Sequence, residues 1–246
     1  MDERSGKILG LVVEEYTRTA VPVGSTYLCK QYDLLVSSAT VRAIMSSLED
    51  EGYLHQPHTS AGRVPTDKGY RFYIESQMTG QNLSRQDEME LKRELLTLRA
   101  KNVRLARTTA KLLSALSGHM VMSGVVDRDE YYDFGLRTLL EDESISSRDE
   151  LCRVAEVLDY IDERVDVLLA QVPEGETHIF VGKENPLDEI SGCSMVVAPY
   201  RSKDGERGMV ALIGPKRMQY ARNKSLVEYV RKFLSGSVIV IFLIVV

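Results

Sequence analysis

The sequence predicts an α+β fold in three parts: a helical head closed by a short hairpin (1–80), a long connecting helix (81–118) and an α+β body (119–246). Three observations predict it. Apolar residues recur at helical spacing through the first eighty positions, and the runs are punctuated by capping and stop residues. Arg85 to Leu116 then carries Leu91, Leu95, Leu98, Leu105, Leu112 and Leu116 among its apolar positions, a helix of a length that often spaces two protomers, the alternative being that it packs on its own domain. After residue 178 the period changes to that of strands.

Ile8, Val12 and Tyr16, with Leu9 and Val13 beside them, place an apolar stripe on a helix from about Glu3 to Thr19, and Pro22 and Gly24 stop it. Ser25 is placed to cap a short second helix carrying Tyr27, Leu28 and Cys29. Ser37 or Ser38 caps a third, with Val41, Ile44, Met45 and Leu48 as its core stripe and Gly52 at its C-terminal stop. Tyr53 to Gln56 reads as a strand, Pro57 to Gly62 as a loop and Arg63 to Pro65 as the returning strand; Thr66 caps a fourth helix through Tyr70, Phe72 and Tyr73. Three helices followed by a two-stranded ribbon is the order of a winged helix-turn-helix, whose third helix enters the major groove while the ribbon's loop touches the backbone or minor groove.

Glu130 to Ala170 is acidic and helical in pattern, with one segment at Leu136–Leu140 and another at Asp149–Leu169. His178 to Gly182, Met195 to Tyr200 and Gly208 to Ile213 read as strands, the last two joined by a turn at Ser202–Glu206, and Lys216 to Leu234 as a basic helix. The apolar tail Val238–Val246 has no assigned role.

At 43% hydrophobic and 27% charged, the chain has the composition of a packed globular protein. Its net charge of −5 conceals an uneven distribution: residues 127–177 carry −11, while 81–126 and 178–246 carry +4 each and the first eighty −2. Polyanion binding is thus compatible with the sequence without being favoured by bulk charge. Cys29, Cys152 and Cys193 are too scattered for a disulfide framework or zinc site. The N-terminus lacks the pattern of a signal peptide, and no apolar run reaches the ~20 residues of a membrane helix. A cytoplasmic protein without membrane association is expected. No GxSxG, P-loop, GxGxxG or HExxH motif is present, His55 and His58 have no third ligand nearby, and the acidic run at Asp127–Asp133 lacks the glycine of a calcium loop. Neither catalysis nor a cofactor is expected.

The loop Pro57–Arg63 is the most suggestive segment. Its Thr59 and Ser60 hydroxyls suit phosphate oxygens, His58 adds an imidazole, and Arg63 has the reach to enter a narrow minor groove. Ser38, Thr40, Arg42 and Ala43 lie on the outward side of the third helix, and Ser25 and Thr26 at a helix start are placed to hold a phosphate. The alternative is an ordinary hairpin turn facing water.

The segment from Pro57 to Tyr73, PHTSAGRVPTDKGYRFY, resembles the signature of the heat-inducible transcription repressor family, HrcA. Pro22–Ser25, Ser37–Arg42, Leu48–Leu54, Gly182–Pro186, Val197–Tyr200 and Ile213–Arg222 resemble it too, so the likeness covers both ends of the chain. It implies a homodimeric repressor with an N-terminal winged helix and a C-terminal GAF-like domain. Such a repressor binds an inverted-repeat CIRCE-type operator upstream of chaperone genes, with a GroE-type chaperonin as partner and release on heat stress. Two further readings stand beside it: a ligand-responsive regulator of other genes acting through the GAF-like body, and a chaperonin client or interaction module whose head no longer binds DNA specifically.

Two departures from the family pattern bear on these implications. Where the family follows the recognition-helix arginine with Asn and Glu, this chain has Ala43 and Ile44, which alters the expected operator and puts Ile44 outside the core stripe if it faces outward. The chain is also shorter than a typical member, so a truncated body is expected, with Gly118–Gly135 bridging a region where the family carries more sheet and an inserted dimerising subdomain.

Overall fold

The computed structural model describes residues 1–78, 83–100, 105–142 and 148–236; the tail Val238–Val246 lies outside them. Two compact units result: Met1–Thr79 with Lys216–Gln219, and Gly80–Pro215 with Tyr220–Val246.

The first unit opens with three helices, α1 (Glu3–Thr19), α2 (Ser25–Gln31) and α3 (Ser38–Asp50). Strands β1 (Leu54–His55) and β2 (Val64–Pro65) follow, then α4 (Asp67–Ser76). Local chemistry sets these limits. Asp2 accepts from Ser5 N at 2.8 Å, Ser37 from Thr40 N at 3.1 Å and Thr66 from Gly69 N at 3.2 Å. Gly52 follows α3 at φ 78°, a left-handed turn for which glycine pays no Cβ penalty. Two expectations need correction. Ser25 is the first residue of α2 rather than its cap, which is Gly24 and makes no side-chain bond. Ile44 is only half-buried, so the core stripe of α3 is Val41, Met45 and Leu48.

Leu9, Val12, Leu28, Val41, Leu48 and Leu54 make the centre of this unit. Beside them sits a buried carboxylate. Glu15 is 2% exposed and accepts from Tyr27 Oη at 2.6 Å and Tyr32 Oη at 3.0 Å, with Arg18 against it. Burial works to raise its pKa, but the two phenols and the guanidinium outweigh that and hold it below the usual glutamate value. Tyr32, desolvated and facing the same carboxylate, is pushed up to about 12.

The second unit begins with α5 (Arg85–Ala100) and α6 (Leu105–Ser117), which pack against each other. These two spans cover the described part of the helix expected over Arg85–Leu116; residues 101–104 lie outside it. Leu91 and Leu95 are buried on α5, and on α6 the buried line is Ala106, Thr109, Ala110 and Leu113, with Leu105, Leu112 and Leu116 half-buried. The apolar pattern therefore serves the unit's own core.

Strands β3 (Met120–Val125) and β4 (Glu130–Phe134), helices α7 (Leu136–Leu140), α8 (Arg148–Asp159) and α9 (Ile161–Leu169), strands β5 (His178–Val181), β6 (Cys193–Arg201) and β7 (Arg207–Pro215), and helix α10 (Tyr220–Leu234) complete it. The five strands form one antiparallel sheet in the order β4-β3-β7-β6-β5. The expected bridge Gly118–Gly135 is thus two strands of that sheet. Two helices, broken at Tyr160, replace the one expected over Asp149–Leu169, and α10 starts at Tyr220 rather than Lys216.

Both faces of the sheet are covered. Met120, Met122, Met195, Val197, Met209 and Ala211 join Leu139, Val154, Val157, Val165 and Leu168 of α7–α9 in one core. The alternating set Val121, Ser123, Val196, Ala198, Val210 and Leu212 is equally buried, on the side taken by α6 and α10. Burial on both faces removes the polar–apolar alternation by which a strand is recognised, and β3 went unread for that reason.

Candidate nucleic-acid interface

Helix α3 turns Val41, Met45 and Leu48 inward, and at 100° per residue Ala39, Ala43 and Ser46 fall on the opposite side. All three are exposed, as are Ser38, Thr40 and Arg42 on the flanks. The outward face therefore carries short side chains and one long cation, Arg42, which forms no ion pair among the described residues. Thr40 shares a 2.9 Å hydrogen bond with Ser37 Oγ, which orders its hydroxyl at the start of the helix.

Residues from four segments meet around one concavity of about 430 Å³ beside this face. Val23 to Thr26 supply its floor, Arg42 and Met45 one wall, and Gln56 with the loop Thr59–Arg63 the other. Six expected site residues are brought together here: Ser25, Thr26, Arg42, Thr59, Ser60 and Arg63. Ser25 is buried, at 8% exposure, so of the α2 pair only Thr26 offers a hydroxyl to solvent. Thr40 lines a separate hollow with Ile44, Arg4 and Lys7, while Ser38, Ala43 and His58 are exposed outside both.

The loop is held close to the floor. Val23 and Arg63 exchange backbone bonds, Val23 N to Arg63 O at 2.9 Å and Arg63 N to Val23 O at 2.8 Å. Gly62 permits the approach: a Cβ there would lie 2.4 Å from the Val23 carbonyl. Gln56 Nε2 donates to Ala61 O at 2.8 Å and Thr59 O at 3.1 Å, closing the loop across its base. Arg63 does not extend toward solvent; its Nε lies 2.8 Å from Glu49 Oε2, with the side chain 16% exposed. Glu49 and Gln56 were missed from sequence. One signal was available: Glu49, Asp50 and Glu51 crowd the C-terminus of α3, the end where a helix dipole disfavours acids, and the last turn carries no basic residue. An acid there calls for a partner elsewhere.

Among the described residues no three His, Cys, Asp or Glu side chains come together as a metal site, and no helix is long and apolar enough to cross a membrane. The arrangement offers hydroxyls, backbone groups and one free guanidinium around an exposed helix. That is a surface for hydrogen-bonding and phosphate contact.

The family model described as the HrcA protein C-terminal domain matches residues 68–223. A heat-inducible transcription repressor HrcA from Thermodesulfovibrio yellowstonii is 28% identical over 331 aligned positions, spanning 93% of this chain and 95% of that protein. Because those 331 positions exceed the 246 residues available here, the relative carries at least 85 positions that this chain lacks. The HrcA of Chlorobium phaeovibrioides is 51% identical over 90 residues, 37% of this chain and 24% of its own. A crystal structure titled as that of a hypothetical protein superposes with a TM-score of 0.76 at 22% identity, covering 96% of this chain and 98% of that one, a likeness of fold. With a model match over more than half its length, the chain belongs to the HrcA family.

Proposed function

We propose that the first unit is a winged helix-turn-helix and the second a GAF-like regulatory body shortened relative to the family. The protein, in this reading, is a cytoplasmic repressor of heat-shock (chaperone) genes. It binds a CIRCE-type inverted repeat as a homodimer and leaves it on heat stress. A GroE-type chaperonin is the partner that returns the repressor to its folded state.

The observation that carries the proposal is the meeting of Thr26, Arg42, Thr59 and Ser60, from three separated segments, around one concavity beside the exposed face of α3. The relatives' shared name supports it. In this mechanism α3 lies in the major groove. Arg42 reaches a guanine edge or a phosphate, and Ser38, Thr40 and Ala43 lie against neighbouring bases. Ala43, at the centre of the outward face, has no group with which to read adenine in a bidentate way and offers a methyl contact to thymine instead. Thr26, Thr59 and Ser60, with His58 beside them, fix the register through phosphates. A two-fold dimer then matches the two arms of the repeat.

Nuclease footprinting of the full-length protein on such a repeat tests this reading. Two protected arms are expected. Arg42→Ala is expected to weaken binding by about 1–3 kcal/mol, with relaxed preference at one base if Arg42 reads an edge and uniform weakening if it holds a phosphate. No protection by folded protein would overturn the proposal.

A further inference from the structure

Glu49 grips both arms of the hairpin with one carboxylate. Oε1 accepts from the backbone N–H of Gln56, on the outgoing arm, at 2.9 Å, and Oε2 forms an ion pair with Arg63 Nε, on the returning arm, at 2.8 Å, a charge contact in which the buried Nε–H is not aligned as a hydrogen bond. Gln56 in turn holds the carbonyls of Thr59 and Ala61, so the chain of contacts runs from the last turn of α3 to the loop. The Arg63–Glu49 pair is partly shielded, the two side chains being 16% and 31% exposed. Lys68 donates to Glu51 O at 2.8 Å and so takes up one of the free carbonyls at the same end of α3.

We propose that Glu49 is a positioning residue for the DNA interface: it fixes the loop 57–62 relative to the exposed face of α3, and Arg63 serves as its internal strut rather than as a contact to nucleic acid. This rests on the DNA-binding reading and gives Arg63 a different role from the DNA contact expected of it. Glu49 itself touches no DNA. It decides where Thr59 and Ser60 stand when Arg42 is seated, and preference for one sequence depends on both being in register. A guanidinium paired inside the protein releases no counterion from DNA, so it adds nothing to the salt dependence of binding.

The test uses the full-length chain with Glu49→Gln, Glu49→Ala, Arg63→Ala and Arg63→Lys, on an inverted-repeat duplex and its scrambled counterpart over a salt series. Arg63→Ala is expected to reduce preference for the repeat while leaving the slope of log K against log salt unchanged, and Arg63→Lys to restore most of the preference. Glu49→Gln keeps an acceptor for Gln56 but releases Arg63, so binding to the scrambled duplex strengthens and the slope steepens by about 1. A slope made shallower by about 1 in Arg63→Ala, with preference retained, would make Arg63 a phosphate contact and overturn the proposal. Amide exchange reads the clamp independently of DNA. Glu49→Ala is expected to speed exchange at Gln56 and across residues 58–63 by about tenfold or more while the α1 core stays protected. Unchanged exchange would overturn the clamp, and a wild-type chain that binds neither duplex would sink the DNA reading while leaving exchange to decide Glu49's role.

Discussion

The head closes its helices with side chains three residues away, whereas the body closes its sheet with partners tens of residues distant. Asp2, Ser37 and Thr66 each accept from a backbone N–H three positions on. In the body, Ser123 Oγ donates to Met209 O across 86 residues and Tyr200 Oη to Gly124 O across 76. β3, at the start of the body, pairs with β7 near its end, Val121 opposite Leu212. The difference lies in where the information that ends an element sits: three of the head's four helices, α1, α3 and α4, carry it in a capping side chain three residues away, while the body's sheet acquires it only once the strands have met.

The largest effects sharpen this contrast least, because a buried leucine costs the same in either place. Leu48→Ala in the head and Leu168→Ala in the body, at 0% and 1% exposure, are each expected to destabilise their own unit by about 2–5 kcal/mol. Hydrogen exchange assigns each loss to its unit, and equal loss of protection across both would contradict two separate cores.

Glu15 separates the units more sharply. Its carboxyl pKa is held below the ordinary value despite burial, by Tyr27, Tyr32 and Arg18, so its contribution is present above the unfolded value and is lost as pH falls. In the body Asp87 is lowered in the same sense, chiefly by Arg222, which donates to it at 3.1 Å and 3.2 Å. Both units should therefore lose stability from about pH 4 downward. Glu15→Gln is expected to cost about 1.5–3 kcal/mol at neutral pH and to flatten the acid response of the head alone, read as melting temperature against pH with exchange to locate the change. An unchanged acid profile would remove Glu15 from this role.

The smallest expected effects test the local code itself. Ser37→Ala should cost about 1 kcal/mol, with fraying confined to the first turn of α3. Tyr220→Phe removes a buried 2.8 Å bond to Ser194 Oγ that joins α10 to β6, and should cost about 0.5–1.5 kcal/mol spread through the sheet. Both are read by urea denaturation and exchange. A Tyr220→Phe effect confined to one helical turn would contradict the non-local account of the body.

Legibility follows local signals in both units. The limits of α1 and α7 and the Thr66 cap of α4 could be read from apolar spacing and capping residues, and the hairpin arms could be placed from Gly and Pro. The double-faced strand β3 could not, because Met120 to Gly124 is buried on both sides and shows no alternation. The leucine pattern over Arg85–Leu116 suited either a spacer or packing on its own domain, and Leu91, Leu95 and Leu113 are buried within the second unit. Six of the ten expected site residues line one concavity. Glu49 escaped notice because its partners Gln56 and Arg63 become neighbours only when the hairpin folds back on α3. The family resemblance at Gly182–Pro186 and Ile213–Arg222 marked segments without explaining them. The structure gives them structural work: Asn185 Nδ2 donates to Gly182 O at 2.7 Å and Cys193 O at 3.0 Å, and Arg222 holds Asp87 and Leu116 O.

The most direct test of the central claim, that α3 and the hairpin loop read a DNA sequence, is fluorescence anisotropy of the full-length chain against a CIRCE-type inverted repeat and a scrambled duplex over a salt series. The account predicts preference for the repeat by at least ~10³ near physiological salt. Equal and steeply salt-dependent binding to both would reduce the head to a phosphate grip with no reading of this repeat, and no binding to either at low salt by folded protein would contradict the account outright.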